Sequence, residues 1–175
     1  MRSVLRRTAL CLVSVALLLL TSCKMPEWQD LRIFCDGYSE TEGKSLSPED
    51  FTGNAGEDGG LILETVLSGD LLMRITTLNN NRIHTVSLTA LAETPAAVFD
   101  EAARRILAAY AHLASFDAAE ILKELRANGK PGFRSWDNGK YKATYAENEA
   151  ARYIRISQLR YLPEENPLPS LRVEE

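Results

Sequence analysis

The chain has 175 residues, of which 45% are hydrophobic and 25% are charged. This length suits one globular domain that buries a real core, so the fold does not need a disulfide scaffold. The formal net charge is −4, and an acidic domain lacks the basic face that nucleic-acid phosphates require, which argues against a nucleic-acid partner.

The first 22 residues have the organisation of an export signal. Residues 1–7 (MRSVLRR) are basic, and residues 8–20 are uncharged and end in four leucines. Such a run fits the apolar part of a signal peptide, but it is shorter than the roughly 20 apolar residues that a membrane-spanning helix needs. The Arg6–Arg7 pair raises the twin-arginine export route, although its neighbours fit an ordinary basic n-region better.

The end of this segment, Leu20-Thr21-Ser22-Cys23, resembles the lipobox of bacterial lipoproteins. The resemblance implies that the Cys23 thiol takes a diacylglycerol, that the bond before Cys23 is cleaved, and that the new amine is acylated, for example with palmitate. Cleavage removes three arginines and no acid, which changes the net charge from −4 to −7. Lys24 replaces the Asp that retains many lipoproteins in the inner membrane of enteric bacteria. This resembles the outer-membrane default, with the domain facing the periplasm.

Residues 23–60 are expected to link the anchor to the domain. Lys24–Glu27 is predicted to be a short tether, and Trp28–Cys35 a short strand or turn that docks on the domain. Residues 36–60 contain six glycines and seven acids against one lysine, a composition that favours a flexible, solvated loop. Within this loop, Ser47 as N-cap and Pro48 as first residue predict one helical turn.

Cys35 is the one thiol that remains once the signal is removed and Cys23 carries lipid. In a compartment that permits disulfides, such a thiol either forms an intermolecular disulfide or reacts, or it is buried as a small hydrophobic residue. The neighbouring Ile33 and Phe34 favour the buried alternative.

The folded domain is predicted to span residues 61–162 and to open with three strands. These strands cover residues 61–67, 71–78 and 82–91, and turns at residues 68–70 and 79–81 separate them. Along the third strand, apolar residues alternate with hydroxyl-bearing ones. This alternation predicts a sheet that is covered on one face and wet on the other.

Two helices are expected next. Thr94 and Pro95 predict a helix start, and apolar residues recur at helical spacing as far as Ser115. Asp117 with Glu120 resembles a capping box that opens a second helix, and Asn128-Gly129 ends it.

The chain then returns to strands. Residues 133–136 and 140–147 are predicted to form a hairpin around Asp137-Asn138-Gly139, and residues 152–162 a last strand. The tail over 163–175 is rich in Pro and Glu and is expected to be loose. The order β-β-β-α-α-β-β-β predicts an α+β fold, with two helices packed on one face of a mostly antiparallel sheet.

A basic and aromatic segment near the C-terminus is the candidate partner surface. Residues 126–161 contain eight basic residues against three acids. Mixed basic and aromatic surface suits lipid head groups, glycans or an acidic partner protein. The alternative is an ordinary solvated sheet face whose aromatic side chains lie in the core. The candidate residues are Arg134, Trp136, Lys140, Lys142, Arg152, Arg155 and Arg160.

The sequence gives little support for catalysis or metal binding. His84 and His112 are the two histidines, and they lie on different predicted elements without the close ligand spacing of a zinc site. The G-x-S-x-G nucleophile motif is absent, and the glycines at 56, 59 and 60 lie in an acidic segment that would repel phosphate. We expect no catalytic residue, no metal site and no cofactor.

The leading hypothesis is a non-enzymatic binding or envelope-assembly module that is held at the membrane by Cys23. The alternatives are a small envelope hydrolase that uses scattered acids, and a carrier of an apolar ligand. A flat face would favour the binding module, and a polar cleft would favour the hydrolase. An apolar cavity would favour the carrier.

Overall fold

A computed structural model describes residues 29–40, 45–56, 59–127 and 132–161. The predicted export signal, Cys23 and the predicted loose tail lie outside these residues. Within them the chain forms a seven-stranded antiparallel sheet and three α-helices. The predicted α+β class with a mostly antiparallel sheet is therefore confirmed, although the chain contains one more helix and one more strand than expected.

The sheet consists of two meanders that meet at its centre. The first contains four strands and the second contains three, and the strand order is β1-β2-β3-β4-β7-β6-β5. Their bounds are β1 Thr52–Ala55, β2 Leu61–Ser68, β3 Leu71–Thr77, β4 Ile83–Leu91, β5 Phe133–Asp137, β6 Tyr141–Glu147 and β7 Ala151–Gln158. The helices are α1 Gln29–Ser39, α2 Ala96–Ala111 and α3 Ala118–Arg126, with short 3-10 helices at Pro48–Asp50 and Leu159–Tyr161.

The local predictions for turns and caps agree with the structure in most places. Asn81 and Gly139 have φ values of 59° and 79°, the left-handed conformation that their turns require. The Asp117 carboxylate caps α3 by accepting a hydrogen bond from the backbone N–H of Ala119 at 2.8 Å. The start of α2 differs, because Pro95 precedes the first helical residue and the Thr94 hydroxyl does not cap the helix.

Helix α1 replaces the predicted short strand or turn, so that prediction is wrong. Its buried side chains are Leu31, Phe34, Cys35 and Tyr38, beside the buried Gly37, and these four follow the i, i+3, i+4, i+7 spacing of one helical face. These side chains belong to the main hydrophobic core. The folded body therefore includes α1 and is not confined to the residues from Leu61 onwards.

The expectation of a flexible segment over 36–60 is wrong for the described part of that segment. Strand β1 pairs with β2, and the predicted helical turn is present at Pro48–Asp50. Gly60 explains part of the error, because a Cβ atom there would lie 1.9 Å from the Thr77 carbonyl oxygen. This glycine permits a close backbone approach and does not indicate a loose chain.

The helices pack on one face of the sheet. The core residues of the strands share this face, and they include Met73, Leu88, Ala143 and Ile154. The opposite face, which we call the open face, carries hydroxyl-bearing, basic and aromatic residues. They include Arg74, Ser87, Lys142, Tyr153 and Arg155.

The centre of the open face is less exposed to solvent than the alternation of apolar and hydroxyl-bearing residues along β4 predicts. Thr85 and Ser87 on the central strand are only 6% and 8% exposed. The Thr85 hydroxyl donates to Ser157 Oγ at 3.0 Å, and Arg155 Nε donates to the same oxygen at 2.9 Å. Neighbouring side chains thus shield the middle of this face and satisfy its polar groups.

Cys35 is expected to be unreactive towards an aqueous thiol reagent in the native protein and to react fully after unfolding. Its side chain is 1% exposed, and burial, reinforced by nearby acids, raises the pKa of the thiol to about 12. The thiolate that would react is therefore scarce and inaccessible at neutral pH. Titration of the mature protein with a chromogenic disulfide checks this prediction. A Ser115→Cys variant, which adds a thiol at an exposed position, is the control and should react at once. Rapid reaction of native Cys35 would contradict the prediction.

Candidate functional site

The strand register divides the candidate partner residues between the two faces of the sheet. Trp136 pairs with Ala143 and Ala143 pairs with Ile156, and the two partners are core residues. Because side chains alternate along a strand, three candidates therefore lie on the helix-covered face. These three are Arg134, Trp136 and Arg152.

The remaining four candidates lie elsewhere. Lys142 and Arg155 lie on the open face, on adjacent strands. Lys140 is exposed in the turn between β5 and β6, and Arg160 is exposed in the last 3-10 helix. The prediction that all seven residues form one surface is therefore wrong, since the alternation of side chains separates them.

Trp136 contributes to packing under the helices. Its ring lies 6.5 Å from that of Phe116 in an edge-to-face arrangement, and Phe116 in turn packs against Tyr141 and Tyr110. Aromatic pairs in this geometry stabilise a fold by roughly 0.5–1.5 kcal/mol beyond the area that they bury. Trp136 is therefore a packing residue, as the alternative to a partner surface anticipated.

Arg134 and Arg152 line a polar groove between the helices and the second meander. The groove has a volume of about 240 Å³. Its charged and polar lining residues are Asp100, Arg126, Arg134, Tyr145, Glu147 and Arg152. Period-two alternation along β6 places Tyr145 and Glu147 on the same face as the buried Ala143, a pattern from which these groove residues were predictable.

Glu147 is the centre of the hydrogen bonds in the polar groove. Arg152 Nε donates to Glu147 Oε1 at 2.8 Å, and the Tyr145 hydroxyl donates to Oε2 at 2.8 Å. A second Arg152 nitrogen donates to the Thr94 carbonyl oxygen. These bonds join the β6–β7 hairpin to the segment that enters α2.

Arg134 and Arg126 tie the other side of the polar groove to the helices. Arg134 donates to the Leu125 carbonyl oxygen at 2.6 Å, and its guanidinium carbon lies 5.4 Å from the centre of the Tyr145 ring. Arg126 forms an ion pair with Asp100 at 3.0 Å. Each of the three arginines in the groove thus contacts a protein group.

The electrostatics of the polar groove do not favour acid–base catalysis at neutral pH. The hydrogen bond from Arg152, followed by the one from Tyr145, lowers the pKa of the Glu147 carboxyl below its usual range. Burial, followed by the bond to Glu147, raises the pKa of Tyr145 to about 12. A carboxylate of lowered pKa accepts protons poorly, and a phenol of raised pKa donates them poorly. The arrangement is better suited to joining structural elements.

An apolar cleft of about 300 Å³ lies on the other side of α2. Its apolar lining residues are Tyr38, Leu67, Leu71, Ala97, Val98 and Ala102. The volume is at the lower end of the range for ligand pockets, roughly 300–1,000 Å³, and Val98 remains 42% exposed. This geometry suits an apolar side chain of a partner better than an enclosed ligand.

Neither histidine lines the polar groove or the apolar cleft. His112 is exposed, and its Nε2 lies 3.6 Å from Glu40 Oε2. His84 is buried on β4. Within the described ranges, no three His, Cys, Asp or Glu side chains group closely enough to hold a metal ion. In the same part of the chain, no helix has the length and apolar character needed to cross a membrane.

Comparison with known proteins does not extend these observations. The chain matches no protein-family model, no curated protein and no solved structure. The function is therefore inferred from the residues and their geometry alone.

Proposed function

We propose that this protein is a lipoprotein of the bacterial cell envelope, exported by residues 1–22 and anchored through an acylated Cys23. The observation that carries the proposal is the Leu20-Thr21-Ser22-Cys23 sequence directly after a basic and then an apolar segment. Each buried methylene of an acyl chain contributes about 0.8 kcal/mol, so two or three chains make release from the bilayer negligible. Lys24 favours the outer membrane, with the domain in the periplasm.

The proposed role of the anchored domain is non-enzymatic binding. Two observations support this role over a small envelope hydrolase. The charged residues of the polar groove bond to one another and to the backbone, and the pKa shifts of Glu147 and Tyr145 oppose proton transfer at neutral pH. Neither cleft contains a histidine that could act as a base.

The open face is the part of the original candidate surface that supports binding best. Lys142 and Arg155 lie there on neighbouring strands, and Arg74 lies on the same face beyond β4, where its Nε donates to Glu64 Oε1 at 2.7 Å. Phe133 lies on this face too and is 61% exposed. Basic side chains and an exposed aromatic residue on one face suit an envelope component that carries acidic groups.

Cross-linking in native membranes tests this surface. We expect a Lys142→Gln, Arg155→Gln double variant to lose the acidic component that the wild-type protein captures, because both of these positive charges on the open face are removed. The captured material is quantified by mass spectrometry, and thermal unfolding shows whether the variant remains folded.

The matched control removes two positive charges from the helix side. Arg104 and Lys123 are exposed on α2 and α3, so an Arg104→Gln, Lys123→Gln variant should capture the component as the wild type does. Unchanged capture by the folded open-face variant would contradict the proposed surface. The anchor itself is tested by substitution of Cys23 with serine.

A further inference from the structure

We infer that one end of the sheet faces the bilayer, with Lys140 and Arg160 against the phosphates of the lipid head groups. This end, which we call the proximal end, includes the turns at residues 78–82 and 138–140, the 3-10 helix at 159–161 and the described residues of the connection between β1 and β2. The inference rests on the proposed acylation of Cys23.

The length of chain between the anchor and the fold limits where the domain can lie. Six residue-to-residue steps separate Cys23 from Gln29, the first residue of α1. At no more than about 3.3–3.6 Å per residue, the start of α1 lies within roughly 20 Å of the acylated cysteine, whatever conformation the intervening residues adopt. The part of the domain next to the start of α1 is therefore held close to the membrane.

Contacts of Asp30 identify that part of the domain. Its carboxylate accepts a hydrogen bond from the backbone N–H of Ile83 at 3.3 Å and lies 3.8 Å from Arg82 Nε. Ile83 is the first residue of β4, so the first turn of α1 lies at the end of the sheet where β4 begins. The antiparallel register places the end of β7 and the β5–β6 turn at this same end.

Two exposed basic residues lie together at the proximal end. The backbone N–H of Leu159 donates to the Lys140 carbonyl oxygen at 2.8 Å, which brings Arg160 next to Lys140. Basic side chains close to a bilayer are attracted to phosphate and to anionic lipid. Asp137 and the Asp30–Arg82 pair lie at this end too, and Lys140 and Arg160 are the exposed basic residues there that the proposal assigns to the membrane.

The opposite, distal end has a different character. The nine residues of β4 span about 26 Å at roughly 3.3 Å per step. The turns at the distal end carry three exposed acids, Asp70, Glu93 and Glu149. Anionic lipid would repel these acids. Val66 and Phe133, which are 63% and 61% exposed, lie towards this distal end of the open face. The tether and the charges together favour an upright domain over one that lies flat.

Site-specific fluorescence on the lipidated protein tests this orientation. Single cysteines are placed at the proximal end (Asn79→Cys, Asn80→Cys) and at the distal end (Asp70→Cys, Glu149→Cys), all exposed positions. Each variant is labelled with a small fluorophore and incorporated into vesicles of phosphatidylethanolamine and phosphatidylglycerol that contain a lipid with a nitroxide on its head group. Wild-type protein, whose Cys35 is buried, controls for stray labelling.

We expect the nitroxide to quench the proximal labels strongly and to leave the distal labels almost unaffected. Equal quenching at both ends, in protein that floats with the vesicles, would overturn the orientation while leaving the anchor intact. Failure of the protein to float with the vesicles would overturn the proposed anchor itself.

A second variant tests the role of the basic pair. Lys140→Gln with Arg160→Gln, labelled at Asn79→Cys, should show reduced quenching although the lipid anchor still holds the protein on the vesicle. The matched control, Arg104→Gln with Lys123→Gln, should be quenched as strongly as the parent. Unchanged quenching in the Lys140, Arg160 variant would overturn the proposed contact with phosphates.

Discussion

A Cys23→Ser variant is expected to lose all incorporation of a fatty-acid analogue, and any fraction from which residues 1–22 have been removed is expected to remain in the aqueous phase of a detergent partition. The serine hydroxyl is too weak a nucleophile to replace the thiolate that accepts the diacylglycerol. Without acyl chains, a chain from which residues 1–22 have been removed keeps an acidic domain and no apolar anchor. The loss of fatty-acid incorporation should therefore be complete.

The matched control for this experiment is Cys35→Ser. Cys35 is the other cysteine that remains once residues 1–22 have been removed, and its side chain is buried in the core. This variant should keep the fatty-acid label and partition into detergent, even if the fold is somewhat less stable. A label that persists in Cys23→Ser and disappears in Cys35→Ser would contradict the anchor.

The second large effect is expected for Phe34→Ala, which should lower the free energy of unfolding by about 3–5 kcal/mol. Phe34 is fully buried on the inner face of α1, and its removal leaves a cavity that the surrounding core cannot fill completely. A loss of this size is a large fraction of the roughly 5–15 kcal/mol that stabilises a typical domain. Urea unfolding, followed by far-ultraviolet circular dichroism, measures the change.

Arg32→Ala provides the control on the same helix. Arg32 is exposed on the outer side of α1, so its substitution should change the stability by no more than about 0.5 kcal/mol. If both variants unfold at the same urea concentration, α1 is not an integral part of the core. That result would restore the boundary at Leu61 that the sequence predicts.

Much of the second half of the fold was predictable because its determinants are local. The Asn138-Gly139 turn, the Asp117 cap and the alternation along β6 each involve only a few consecutive residues. The structure shows these elements where they were expected. The same kind of information was present in α1, where the buried residues recur at helical spacing. The helical spacing in residues 29–39 did not lead to a predicted helix, because the acidic, glycine-rich residues after it favoured an irregular segment.

The candidate surface was harder to predict, because it depends on which residues become neighbours across strands. Composition alone grouped Arg134 and Arg152 with Lys142 and Arg155. The register then placed the first pair in the polar groove and the second pair on the open face. A shift of one residue along a strand moves a side chain to the opposite face, so a count of charges in a segment cannot predict a surface.

The fold class and the main turns follow from the amino-acid order, since each depends on short stretches with distinct chemistry, and the proposed export segment and anchoring cysteine rest on the amino-acid order alone. Three further features depend on contacts between residues distant in the chain: the docking of α1, the place of Gly60 against Thr77, and the division of the basic residues between two faces. Such contacts are set by the packing of the whole domain, where burial and backbone approach determine which neighbours fit.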